Sequence, residues 1–538
     1  MPKYKLMAHQ RDGVKFLDSV DGIGALLYEP GVGKTATTLS WIDRQADRRG
    51  EFRVLVVAPL TAADTWVLQV PGFMDSPVKA RFLQGSTASM LNKIAAAGNW
   101  TTVPDTAIKV DHPGTLQKQV SGNRVTILSM SAGAISTWCK SGQRTRTVQM
   151  LRAIRKYNPH LIVVDESHLI KAATSNISKA MYQIGQLSPH RIILTGTVNP
   201  HSPLDCYGQW RFLAPWTFSD QYNEPWTKDP LRMTVAQRKA IKPWPWGRFR
   251  DRYAETFTPR GAPRGAVQVS GMSAITEQEL HDRVAERSHV VLKKDALNLP
   301  PVTDVDVHVV LSPKEQHAYD EMATELAAQM ANGELVEAPN ALAKIMKLRQ
   351  IHAGFVKDTE TGVVHQIGNS LRKAVKEIVD VQLDGENRVV VFAYFQSECT
   401  ALARALKRPD TTVEVVTGAT PAKERLAIRR RFGDVSGNPG RIVLVAQART
   451  MSLSVNELVT ASNAVYASLS ERRDDWVQSR DRLNRNGQTR PVTFWNVFVP
   501  GLIGEVMRDN HKHRGDLEKA LLDHVRSYVR KPSKGRLK

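Results

Sequence analysis

The chain has 538 residues, and at roughly 100–200 residues per domain it holds three or so structural units, two at minimum. Its 74 Lys and Arg outnumber 53 Asp and Glu, and the formal charge of +21 points to a polyanionic partner, because neutralising phosphates releases counterions. Three scattered cysteines (Cys139, Cys206, Cys399), a start without a signal-peptide run and the lack of any apolar stretch near the roughly 18–20 residues of a membrane span argue against a secreted or membrane-spanning protein. The expected location is cytoplasmic or nucleoid-associated.

Short apolar runs alternate with amphipathic helical stretches, which predicts parallel α/β sheets. In the first third the expected buried strands are 23–28, 54–58, 125–129, 161–164 and 191–194. The first of them runs into Glu29-Pro30-Gly31-Val32-Gly33-Lys34-Thr35 and then a helical pattern. This reads as a phosphate loop. Gly31 and Gly33 let backbone N–H groups curl around phosphate, Lys34 reaches the β- and γ-phosphates, and Thr35 ligates Mg²⁺. Tyr28 stands where the strict motif has its first glycine.

The strand 161–164 ends in Asp165-Glu166-Ser167-His168, a carboxylate pair at the carboxyl edge of a parallel sheet, where such sheets bind ligands. Asp165 is placed to hold Mg²⁺ and Glu166 to polarise an attacking water; the plain alternative is a solvated acidic turn. Thr195 and Thr197 end another apolar strand and offer paired hydroxyls that could link the nucleotide site to a bound nucleic-acid strand.

From about 206 to 300 the texture changes to Trp and Pro (Trp210, Trp216, Trp226, Trp244, Trp246), read as helices and irregular insertions whose aromatics pack on the first unit rather than stack on nucleic acid. A strand is expected over 304–311 and helix over 313–354, followed by strands at 389–393, 413–417, 441–446, 464–467 and 492–497. Asn510-His511-Lys512-His513 reads as a solvated helix rather than a metal site. The division expected is 1–205, 206–300, 301–525 with a helical insertion at about 313–355, and a basic tail 526–538.

The order of these motifs resembles that of superfamily-two helicases, and within them the Swi/Snf-type ATP-dependent DNA translocases. Leu6–Leu17 with His9-Gln10 looks like the adenine-reading Q motif, and Val54–Pro59 with Trp66 like motif Ia. Asp165–His168 with Lys171 is similar to motif II, and Thr195-Gly196-Thr197 with Asn199 to motif III. Gln209-Trp210-Arg211-Phe212-Leu213 resembles the segment after motif III, and 291–294 the basic linker between lobes. Gln478 through Gln488, with Arg482 and Arg485, resembles motif VI. The resemblance implies two RecA-like parallel-sheet lobes with helical insertions between and within them, ATP and Mg²⁺ as cofactors, and DNA, double-stranded or branched, as partner. It implies Gln10 in nucleotide binding, His168, Thr195 and Thr197 in coupling, and Gln478, Arg482 and Arg485 at the transferring phosphate. Spacing i, i+3 predicts that the two arginines share one helical face. Two segments depart from the family pattern: motif V, where Met451, Ser452 and Ser454 stand for glycines, and 502–505.

Overall fold

The computed structural model of the protein describes residues 4–97, 115–117, 124–139, 144–196, 204–224, 233–258, 267–331, 338–451 and 457–513, with single positions at 227, 229, 520, 521, 524 and 527. Thr197, Asn199, Trp226, residues 452–456 of the altered motif V and nearly all of the basic tail lie outside these. The chain divides into two compact units, Met1–Leu297 and Asn298–Lys538.

The first unit contains strands β1 (Ile23–Tyr28), β2 (Glu51–Ala58), β3 (Val78–Phe82), β4 (Thr115–Gln117), β5 (Arg124–Ser131), β6 (Leu161–Asp165), β7 (His190–Thr195), β8 (Ala254–Phe257), β9 (Gln268–Met272) and β10 (Ser288–Val291). Eight of them form one sheet in the order β10-β1-β7-β6-β2-β5-β3-β4, parallel except for β3 against β4. Strands covered by helices on both faces must be apolar throughout, which is why β1, β6 and β7 are buried at every position. The register sets Leu27 beside Thr195 and Asp165 beside Leu194, so the ends of β1, β7 and β6 emerge side by side at one carboxyl edge.

The segment 206–300 is not only helical. It contributes the β8–β9 hairpin and the edge strand β10, which pairs with β1. These short strands lack the long apolar run that marks a central strand. Its aromatics pack as expected: Trp210, Trp216, Phe218, Trp244, Phe249 and Tyr253 are buried in the same core as β6 and β7. Arg248 lies over the Trp244 ring at 4.7 Å and pairs with Asp220.

The second unit holds β11 (Val302–His308), β12 (Phe355–Lys357), β13 (Val364–Gln366), β14 (Arg388–Ala393), β15 (Thr411–Val416), β16 (Arg441–Gln447), β17 (Asn463–Tyr466) and β18 (Val492–Phe498). Six form an all-parallel sheet, β11-β18-β17-β14-β16-β15, and β12–β13 is a small hairpin. Helices Pro313–Ala331 and Ala338–His352 pack on its core. His511 corrects the solvated-helix reading. It faces inward, fully buried, with Nε2 2.7 Å from Ser470 O, because the helix Ile503–His513 is amphipathic. No described helix is long and apolar enough to cross a membrane.

Candidate functional site

The loop after β1 turns through Gly31 (φ 87°) and Gly33 (φ 98°), conformations that side chains with a Cβ rarely adopt. A Cβ on Gly33 would also lie 2.1 Å from Gln10 Nε2. Gly33 caps the helix Lys34–Arg49, whose first N–H groups open onto the loop. Lys34 Nζ donates to Tyr28 O at 3.0 Å. The next two threonines of the helix turn inward: Thr37 Oγ1 donates to Gly33 O and Thr38 Oγ1 to Lys34 O. Among the described residues the Thr35 hydroxyl has no such partner, which leaves it able to ligate a cation.

Gln10 lies on the helix Ala8–Ser19, where its carboxamide spans two backbones. Oε1 accepts from Met7 N at 2.9 Å and Nε2 donates to Val32 O at 3.2 Å, while His9 Nε2 is 2.8 Å from the same carbonyl. This residue therefore fastens the helix to the phosphate loop. Tyr28, in place of a glycine, fills the space between elements. Its hydroxyl lies 2.9 Å from His289 Nδ1 on β10, and burial raises its pKa. Glu29 ties the loop to the segment after β10, with Oε2 accepting from Lys293 N at 2.6 Å.

Asp165, the last residue of β6, is 8% exposed. Trp66 Nε1 donates to its Oδ2 and Glu166 N to its Oδ1, each at 2.9 Å. Burial, and next the neighbouring Glu166, push the carboxyl up to about 6, although Trp66 and the charge of Lys34 pull the other way. A carboxylate in this position gains from a divalent cation. Among the described residues no cluster of three or more His, Cys, Asp or Glu forms a metal cage. That donor set fits Mg²⁺, which takes one or two protein oxygens and completes its shell with water and substrate phosphate. Asp165 and Thr35 are the residues that would hold it.

Glu166 has left-handed backbone, φ 51° and ψ 57°, and its carboxylate lies 3.3 Å from His168 Nδ1. Thr195 is buried at the end of β7. A Cβ on Gly196 would touch Pro30 at 3.1 Å and Lys34 Nζ at 3.7 Å, so the motif III segment starts against the phosphate loop. Lys34, Thr35, Asp165, Glu166, His168 and Thr195 thus share one edge of one sheet.

The arginines belong to the second unit. The helix Arg473–Leu483 ends before Asn484, so Arg482 lies in its last turn and Arg485 beyond it. The two do not share a helical face. They are nevertheless close enough to interact: burial, and next the charge of Arg482, push the Arg485 guanidinium down to about 10. Gln488 is structural, its Nε2 donating to the carbonyls of Val459, Ala461 and Leu483. Arg480, inside the same motif, is tied off by two bonds to Asp304 at 2.6 and 2.7 Å and by the Phe494 ring at 3.9 Å. Gln478 is half-buried on the same helix. Sequence reading did not single out Trp66 as the donor to Asp165. The available signal was that a buried indole N–H requires an acceptor.

A glycine loop with left-handed backbone beside a strand-ending Asp–Glu pair, on one of two parallel-sheet units, is the arrangement expected of superfamily-two helicases. A model of the SNF2-related domain matches residues 9–354. The chain belongs to this family of DNA-dependent ATPases, within the Swi/Snf-type branch of superfamily two. Similar proteins include the mouse (Mus musculus) DNA annealing helicase and endonuclease ZRANB3, 22% identical over 94% of this chain and 39% of that protein. An uncharacterized ATP-dependent helicase, MG018, of Mycoplasma genitalium is 22% identical over 96% of this chain and 42% of its own length. The Xenopus laevis SWI/SNF-related matrix-associated actin-dependent regulator of chromatin subfamily A-like protein 1 is 22% identical over 92% and 42%. The chain spans about two fifths of the length of these curated relatives. Among solved structures, a Sulfolobus solfataricus SWI2/SNF2 ATPase core in complex with dsDNA is 18% identical, covering 98% of this chain and 94% of that one, with a TM-score of 0.35.

Proposed function

We propose that the chain binds ATP with Mg²⁺ and uses its hydrolysis to move along double-stranded DNA without separating the strands. The observation that carries this reading is the shared carboxyl edge of β1, β6 and β7, where Lys34 and Asp165 interact electrostatically and Asp165 is raised in a way a cation relieves. Lys34 and the loop N–H groups hold the phosphates, and Thr35 and Asp165 hold the metal, which supplies charge neutralisation when bound. Glu166 accepts a proton from the attacking water, and His168, Thr195 and Thr197 link this edge to nucleic acid. Arg482 and Arg485, with Gln478 beside them, stabilise charge on the transferring phosphoryl group. Gln10 contributes to nucleotide binding by holding the loop.

DNA as the partner is supported by the +21 charge and by the DNA annealing helicase among the relatives. Contacts to a phosphate backbone need no base sequence, so affinity should fall with log salt at a slope near −0.9 per contacted phosphate and ignore scrambling of the duplex. Two substrates test the motion. Displacement of a third strand from a triplex with an intact duplex track is expected. Release of a strand from a forked duplex without triplex displacement would instead make the chain a strand-separating helicase.

A further inference from the structure

The helix Leu204–Leu213 is fitted to the turn that carries Glu166. Gly208 lies so close to it that a Cβ would stand 2.1 Å from Ile170 O and 2.6 Å from Lys171 O. On either side, Lys171 Nζ pairs with Asp205 at 3.2 Å, and Arg211 Nη2 donates to Ala173 O and Ser178 Oγ at 3.1 and 3.0 Å. At the centre Ser167, fully buried, donates its hydroxyl to Gln209 Oε1 at 2.5 Å. The Gln209 amide is itself oriented, because Nε2 donates to Asp205 O at 2.8 Å. Gln209 is buried as well, so neither group has water as a substitute partner.

This bond bears on a strained residue. Glu166 holds a left-handed backbone that a non-glycine residue adopts only when its surroundings over-determine it. On its amino side, Asp165 is fixed by Trp66 and by Glu166 N itself. On its carboxyl side, the adjacent residue is Ser167. We infer that Gln209 is a positioning residue for ATP hydrolysis: acting through Ser167, it fixes the turn that aims the Glu166 carboxylate. Gln209 touches no reacting atom in this account. A base displaced by even an ångström loses orientation without losing nucleotide affinity, so the effect falls on kcat and not on binding.

The inference rests on the proposed ATPase reading, and the test separates the two. Steady-state ATP hydrolysis with saturating duplex DNA, nucleotide binding and Tm are measured for wild type, Glu166→Gln, Gln209→Leu, Ser167→Ala and the Ser167→Ala/Gln209→Leu pair. The expected result is a kcat about tenfold lower in Gln209→Leu and in Ser167→Ala, with KM and nucleotide affinity within about twofold. The double variant, which leaves no buried hydroxyl unpaired, should recover Tm relative to Gln209→Leu yet stay as slow as the singles. Recovery of kcat together with Tm, losses that multiply in the double variant, or an unchanged kcat in Ser167→Ala would each overturn the positioning role. A wild type without DNA-stimulated hydrolysis, or hydrolysis indifferent to Glu166→Gln, would remove the ATPase reading itself and the inference with it.

Discussion

In the first unit burial disturbs a carboxylate, and in the second it disturbs a guanidinium. Asp165 is pushed up to about 6 and Arg485 down to about 10, opposite shifts with the same leading cause. Neighbours of like charge, Glu166 in one case and Arg482 in the other, add to each. Opposite charges act on each as well, Lys34 on Asp165 and Asp481 and Glu457 on Arg485, without cancelling the burial. Arg480 is met by Asp304, and Arg349 by Glu471 at 3.1 Å and the Tyr394 ring at 4.1 Å. Charges held at a cost in folding free energy are common where a ligand of opposite sign belongs. Under the proposed function a nucleotide with its metal would offer both signs, a cation for Asp165 and phosphate for Arg485.

The largest effect is expected at Glu166, beside Asp165 in the first unit. Glu166→Gln keeps size and removes the basic carboxylate, so ATP should still bind while turnover falls by on the order of 10²-fold or more. Near-normal turnover, measured by phosphate release, would strip Glu166 of its role. Lys34→Ala should instead weaken nucleotide binding, read by titration with a fluorescent ATP analogue.

Asp165→Asn separates stability from function. A folded-state carboxyl raised from 3.8 to about 6 is disfavoured as the anion. Its cost is absent below about pH 4, grows through the window up to about 6 and is complete above it. Asn offers one acceptor oxygen to the two donors Trp66 Nε1 and Glu166 N, which costs stability at every pH. The substitution removes the pH-dependent cost, however, so stability relative to wild type should improve from pH 5 to pH 8 by on the order of 1–3 kcal/mol. It should also abolish Mg²⁺-supported turnover. Urea unfolding at the two pH values checks the sign; an Asn variant that loses ground to wild type between pH 5 and pH 8 would contradict it. In wild type, Mg²⁺-dependent nucleotide binding should weaken as pH falls below about 6, because the metal then competes with a proton.

The smallest effect belongs to the structural arginine of the same motif. Arg480→Ala should cost about 1–2 kcal/mol through the lost Asp304 pair and ring contact, without changing kcat per folded molecule by more than about twofold. A loss of kcat as large as that expected for Arg485 would merge the two classes of arginine.

How much of this was legible depends on the range of the interaction. The strand Ile23–Tyr28 and its glycine loop are local, and the sequence marks them because a buried parallel strand is apolar throughout and the loop demands glycine. The order of the motifs carried the two α/β units. β3, with Lys79 and Arg81 interrupting its apolar pattern, and the four-residue edge strand β10 gave no comparable run. Pairings between distant side chains were hidden too. Trp66 and Asp165 are 99 residues apart and Ser167 and Gln209 are 42 apart; a sequence shows donors and acceptors but not which of them meet. Arg485 is a further case, since i, i+3 spacing implied a shared face only if the helix continued, and it ends at Leu483.

Under the proposed function Arg485 acts on the same nucleotide as Asp165, and Arg485→Ala tests this most directly. DNA-stimulated ATP hydrolysis is measured across DNA concentration, alongside ATP affinity and nucleotide-free DNA affinity. A strongly depressed kcat that saturating DNA does not restore is expected, with both affinities much less changed. Arg485→Lys should rescue only in part, since a point charge lacks the planar fork. A fall in DNA affinity with kcat restored at saturating DNA would place Arg485 on a DNA-binding face and contradict the claim.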